Sequence, residues 1–178
     1  MAGRGVTKVV NRCEQAKENR RLDLSECQLT QIPDAVYLLM RNTELETCDI
    51  SLNLIRRVPA KFGTKFPHLM ELHINGNKLT SLPDELRDMH SLKVLDISCN
   101  SFESFPSVIF TFNKLRNLNV EDNSITDVDT SRLQSMTSLV EVNLQDNPLT
   151  LTSYRSLMEI RLYTVLLTPQ DKELDSVD

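Results

Sequence analysis

Apolar residues return along this chain in one fixed phrase, Leu-x-x-Leu-x-Leu-x-x-Asn-x-Leu, six times at a spacing of 23 to 26 residues. The ninth position of the phrase falls at Cys27, Asn53, Asn77, Asn100, Asn123 and Asn147. The clearest copy runs Leu92-x-x-Leu95-x-Ile97-x-x-Asn100-x-Phe102-x-x-Phe105-Pro106. A unit of this length cannot bury its own apolar face, so successive copies must stack, and the pattern predicts a solenoid.

Positions 4 and 6 alternate inward along a short strand, as period-2 side chains must. They are Leu22/Leu24, Cys48/Ile50, Leu72/Ile74, Leu95/Ile97, Leu118/Val120 and Val142/Leu144. Position 1 adds Leu45, Leu69, Leu92, Leu115 and Leu139, and position 11 adds Leu29, Ile55, Leu79, Phe102, Ile125 and Leu149. The strands are expected to form a parallel sheet on one side, with return segments on the other. The Asn column has its own cause. A tight turn after each strand leaves backbone N–H and C=O groups that are costly to bury unpaired, and an Asn amide pairs with both kinds. Asn53, Asn77, Asn100, Asn123 and Asn147 should therefore form a ladder, with Cys27 a weak substitute in the first copy. In the return segments Ile32-Pro33, Val58-Pro59, Leu82-Pro83 and Phe105-Pro106 mark a change of conformation, since proline sets φ and removes a donor. The apolar pairs that follow, such as Val36/Leu39 and Ile109/Phe112, are spaced for short helical turns; the fifth copy has Val128-Asp129-Thr130 instead, then Leu133 and Met136.

This frame resembles the leucine-rich-repeat proteins, in the typical class with Leu-Pro in the return segment. The resemblance covers residues 19–150, about three-quarters of the chain. It implies an α/β solenoid: a horseshoe with a parallel concave sheet, short helices or 3₁₀ turns on the convex side, and a cap at each end. It implies a binding surface and carries no defined chemistry with it.

The ends need closing, because the outer repeats would otherwise expose their apolar edges. Segment 1–18 is expected to be an N-terminal cap, its helix over 5–18 presenting Val6, Val9, Val10, Cys13 and Ala16. A membrane-surface helix competes with that reading, since residues 1–21 hold six Lys/Arg and two Asp/Glu, but no large aromatic anchor accompanies them. At the other end, 151–168 reads as a shortened seventh copy, Leu157-x-x-Ile160-x-Leu162-x-x-Val165, only 18 residues after Leu139, followed by an acidic tail over 169–178. The opening residues have no signal-peptide stretch and the start fails the myristoylation pattern. The four cysteines are dispersed rather than clustered in caps, as they usually are in extracellular proteins resembling this class. Their placement predicts an intracellular, reduced setting, cytoplasmic with the nucleus left open.

Catalytic chemistry finds no foothold. The four glycines (positions 3, 5, 63 and 76) build no phosphate cradle, and Cys-x-x-Cys, His-Glu-x-x-His and Gly-x-Ser-x-Gly are all missing. His68, His73 and His90 show no metal-ligand spacing. The expectation is no enzyme, no cofactor and no metal.

What varies is the concave face, frame positions 3, 5, 7 and 8. It carries nine carboxylates (Asp23, Glu26, Asp49, Glu71, Asp96, Glu121, Asp122, Glu141 and Asp146) against one arginine, Arg21, far more acidic than the chain's net charge of −5. On one reading Asp at position 5 is family background; on the other the excess toward the C-terminal half recruits a basic partner. The candidate contact patch is Glu71, His73, Val94, Asp96, Glu121, Asp122, Glu141 and Asp146. The expected function is that of a non-catalytic protein-interaction module, an adaptor or regulatory subunit that is a monomer in isolation. The alternative is a scaffold or assembly factor that uses the convex face or the N-terminal helix. Nucleic acid fits poorly, because an acidic face repels phosphates and the basic N-terminal segment has no aromatic residue on which bases could stack.

Overall fold

The computed structural model describes residues 2–170, with side chains from Thr7 onward; the tail expected over 169–178 lies outside the described residues from position 171. Seven short strands form one parallel sheet in sequence order: β1 Arg21–Asp23, β2 Thr47–Asp49, β3 Glu71–His73, β4 Val94–Asp96, β5 Asn117–Asn119, β6 Glu141–Asn143 and β7 Thr164–Leu166. Their register follows the frame, Leu22↔Cys48↔Leu72↔Leu95↔Leu118↔Val142↔Val165. In β1 to β6 the middle residue is buried and its neighbours face the concave surface. The position 1, 4 and 6 side chains merge into one continuous core.

The convex side is built from short pieces: α2 Asp34–Leu39, α3 Lys61–Lys65, 3₁₀ turns over Asp84–Asp88 and Ser107–Thr111, α4 Thr130–Gln134 and α5 Leu151–Met158. Pro33, Pro83 and Pro106 sit immediately before their turns with φ of −65°, −72° and −64°, already near the helical value. The fifth repeat lacks the proline and starts its helix by a different device: the Asp129 carboxylate accepts from Arg132 N–H at 3.0 Å. Convex turns pack closely, and a methyl at Gly63 would overlap the Glu85 carbonyl oxygen.

At the N-terminal end α1 (Ala2–Asn19) packs on β1 and α2, burying Val9, Cys13 and Ala16. Val10 is half-buried, and Val6 precedes the described side chains. At the C-terminal end the shortened copy is not what forms. Leu157 and Ile160 are buried as the last turn and exit of α5, an i,i+3 helical spacing, whereas the seventh strand is Thr164–Leu166. The correct phase is Leu162-x-x-Val165-x-Leu167, a full 23 residues after Leu139. A helical apolar pair and a frame pair share the same three-residue step, and only strand pairing tells them apart.

The Asn column bonds both ways. Asn100 Nδ2 donates to Ile74, Ile97 and Ser98 carbonyls at 3.0–3.1 Å while its Oδ1 accepts from Leu79 N–H at 3.0 Å. Asn53, Asn77, Asn123 and Asn147 repeat this pattern. Each amide thus stitches its own turn to the preceding repeat.

Candidate protein-interaction surface

Two positions of the concave face are set by the turn rather than by any partner. At position 5 the Asp23, Asp49 and Asp96 carboxylates accept from the N–H two residues on, at 2.9, 2.8 and 3.0 Å, and Asn119 and Asn143 do the same through their amide oxygens. These are Asx turns, which either Asp or Asn makes. At position 8 every copy has positive φ: Glu26 51°, Leu52 54°, Gly76 64°, Cys99 52°, Asp122 52° and Asp146 54°. Gly and Asp tolerate this left-handed region best, so part of the acidity at position 8 is a backbone preference. Neither constraint is visible from spacing alone, although the Asp/Asn alternation at position 5 was the available signal.

The remaining charges divide by location. In the N-terminal half Arg12 reaches over from α1, its guanidinium 3.0 Å from the Asp23 carboxylate and donating to the Asp23 and Ser25 carbonyls at 3.0 and 2.8 Å. It also contacts Cys27 Sγ at 3.5 Å, so it supplies turn donors where Cys27 has none to offer. Partial burial raises the Asp23 pKa, but the Ser25 hydrogen bonds and the Arg12 and Lys8 charges outweigh it and hold the carboxyl below its ordinary value. Glu71 is likewise compensated: Arg21 lies 3.7 Å from its carboxylate, Thr47 Oγ1 donates at 3.3 Å, and His73 Nε2 stands 4.0 Å away.

In the C-terminal half no cation answers the acids among the described residues. Glu121 accepts from Asn143 Nδ2 at 2.9 Å; Asp122 and Glu141 are exposed. Asp146 is occupied at the edge, its carboxylate accepting from Thr168 Oγ1 at 2.9 Å. Cys99 is exposed, yet partial burial and a hydrogen bond to Asp122 push its thiol pKa up, away from thiolate. The eight candidate residues therefore do not form one patch. Glu71 and His73 belong to the compensated half, Asp96 to a turn and Asp146 to the edge, while Glu121 and Asp122 follow the end of β5 and Glu141 opens β6 at the other end of the strands, in the row of Asn117 and half-buried Val94. Among the described residues no helix is long and apolar enough to cross a membrane.

Comparison with known proteins agrees with this architecture. A family model described as leucine rich repeat matches residues 43–102 and 90–149. Leucine-rich repeat-containing protein 20 of Mus musculus is 31% identical over 173 residues, covering 95% of this chain and 94% of that protein. Its Homo sapiens namesake is 33% identical over 95 residues, 51% of this chain and 52% of that protein. Among solved structures, a Leptospira interrogans LRR protein superposes with a TM-score of 0.68 at 26% identity, over 78% of this chain and 34% of that one.

Proposed function

The chain belongs to the leucine-rich-repeat family, and from that premise we propose that it is a non-catalytic adaptor or regulatory subunit that holds a basic segment of a partner protein against the C-terminal half of its concave face. The observation that carries this reading is the pairing asymmetry. Arg12 pairs with Asp23 and Arg21 approaches Glu71 in the first three strands, whereas Glu121, Asp122 and Glu141 are in no ion pair among the described residues. A one-signed concavity speeds encounter with an oppositely charged segment and makes it salt-dependent. The N-terminal helix is a weaker candidate for the partner surface, because Lys8 and Arg12 already donate to the first repeat. The four free thiols, two of them fully in the core, support an intracellular setting.

The test is a pull-down from cell lysate with wild type and with Glu121→Lys/Asp122→Lys. Loss of a basic partner from the double variant is the expected result; retention of every partner sinks the concave-face reading.

A further inference from the structure

The loops that leave the strands line a flatter face that adjoins the concave one along position 8 and continues through frame positions 10 and 12. Rung hydrogen bonds hold its columns in order: Leu54 N–H to Leu29 C=O, Lys78 N–H to Ile55 C=O, Ser101 N–H to Leu79 C=O and Ser124 N–H to Phe102 C=O. Position 10 accordingly reads Gln28, Leu54, Lys78, Ser101, Ser124 and Pro148, which is polar in the first five copies except the second. Position 8 of that same copy is Leu52. The two leucines are 54% and 43% exposed, although nothing in the solenoid's core requires them to be apolar.

Leu52 bears a further cost. Its φ of 54° is left-handed, where a leucine is disfavoured and Gly, Asn or Asp would relieve the backbone. Its neighbour in the next repeat is Gly76, and a methyl there would strike Leu52 Cδ2. The glycine therefore leaves the leucine side chain lying across an open step. Arg56 and Arg57 follow Leu54 along the chain and Lys78 occupies the adjoining rung; all three are exposed and none is in an ion pair among the described residues. Lys78 is one strand spacing from Leu54, about 4.8 Å. Glu26 is the acidic residue in the neighbouring position-8 column.

We propose that this face is a docking site for an extended acidic segment of a partner protein, one that sets an aliphatic side chain against Leu52 and Leu54 and its carboxylates against Arg56, Arg57 and Lys78. Exposed leucine kept at a strained position has a use when a ligand covers it, and the unpaired cations select the ligand's sign. The charge preference is opposite to that proposed for the concave face, and the two sites lie in different repeats, the second and third here against the fifth and sixth there, so they are separable. A peptide is favoured over an anionic bilayer because the apolar spot is two side chains wide with no aromatic residue beside it.

A random peptide library displayed on phage, panned on the full chain, tests this, followed by fluorescence anisotropy of the enriched peptides. Enriched sequences should combine Asp/Glu with an aliphatic residue. Their affinity should fall about tenfold or more with Leu52→Asn, with Leu54→Ser and with Arg56→Glu/Lys78→Glu, and hold with Glu121→Lys/Asp122→Lys. Leu52→Asn should also keep or raise the melting temperature, since Asn suits the left-handed backbone. The idea is overturned if no enriched peptide responds to these variants, if only basic peptides are recovered, or if Leu52→Asn lowers the melting temperature as a core residue would. Co-sedimentation with phosphatidylcholine/phosphatidylserine vesicles that is lost in Leu52→Asn would overturn it in favour of a membrane surface. Failure of the concave-face pull-down would leave these outcomes unchanged.

Discussion

The two halves of the concave face are built on the same backbone and differ in what happens to their charges. From β1 to β3 two of the three strand acids are answered by a cation from within: Arg12 crosses from the cap helix to Asp23, and Arg21 approaches Glu71, while Asp49 caps its own turn. On β6 and just after β5, Glu141, Glu121 and Asp122 are in no ion pair among the described residues; Glu121 accepts from Asn143 and Asp122 is hydrogen-bonded with Cys99. Identical turns with opposite electrostatic outcomes show that a solenoid can separate folding from recognition residue by residue. Positions 4 and 6 are spent on the core in every copy and position 9 on the ladder in all but the first, where Cys27 stands, while position 3 is free to be balanced or left open.

The comparison can be broken in several ways, beginning with the core that both halves share. Leu95→Ala on β4, at the border between them, should cost about 2–5 kcal/mol in chemical denaturation. It should do so in one transition, because the core is continuous; two transitions would mean the halves fold separately. Asn100→Ala strands turn carbonyls and should cost about 1–3 kcal/mol. Arg12→Met removes the donor to the Ser25 carbonyl, which an Asn amide supplies in later copies, and that to the Asp23 carbonyl, and should cost about 1–3 kcal/mol despite Arg12 lying outside the repeats. An unchanged melting temperature in Arg12→Met would show that the N-terminal end is closed by packing alone.

Smaller effects discriminate more finely. Glu121→Lys/Asp122→Lys should change stability by no more than about 0.5 kcal/mol, since the hydrogen bonds lost are those with half-buried Asn143 and exposed Cys99. A large loss would mean that these acids serve the fold. The smallest expected effect is that of Asp23. Its pKa is lowered in the folded chain, so its contribution is present above the ordinary carboxylate value of 3.8 and is lost as pH falls through its folded value. Asp23→Asn should therefore flatten the acid limb of the stability–pH curve and leave neutral pH little changed, because Asn makes the same turn at Asn119 and Asn143.

Much of this was legible in advance, and the limits follow from the same physics. The frame located six of the seven strands through Leu22, Cys48, Leu72, Leu95, Leu118 and Val142, because period-2 burial leaves a direct trace in residue type. The seventh was misphased because Leu157 and Ile160 are apolar for a helical reason. Which acids are neutralised is not written in the order of residues: nothing there says that Arg12 lies 3.0 Å from Asp23, or that Thr168 occupies Asp146.

The amino-acid order by itself determined the repeat, the sheet and the Asn ladder, since each rests on local periodicity and on groups that must be satisfied wherever they are buried. Tertiary structure alone decided which charges are neutralised, which backbone positions are left-handed, and which leucines remain exposed. Those properties depend on neighbours about two dozen residues away in sequence but one strand spacing, about 4.8 Å, away in space.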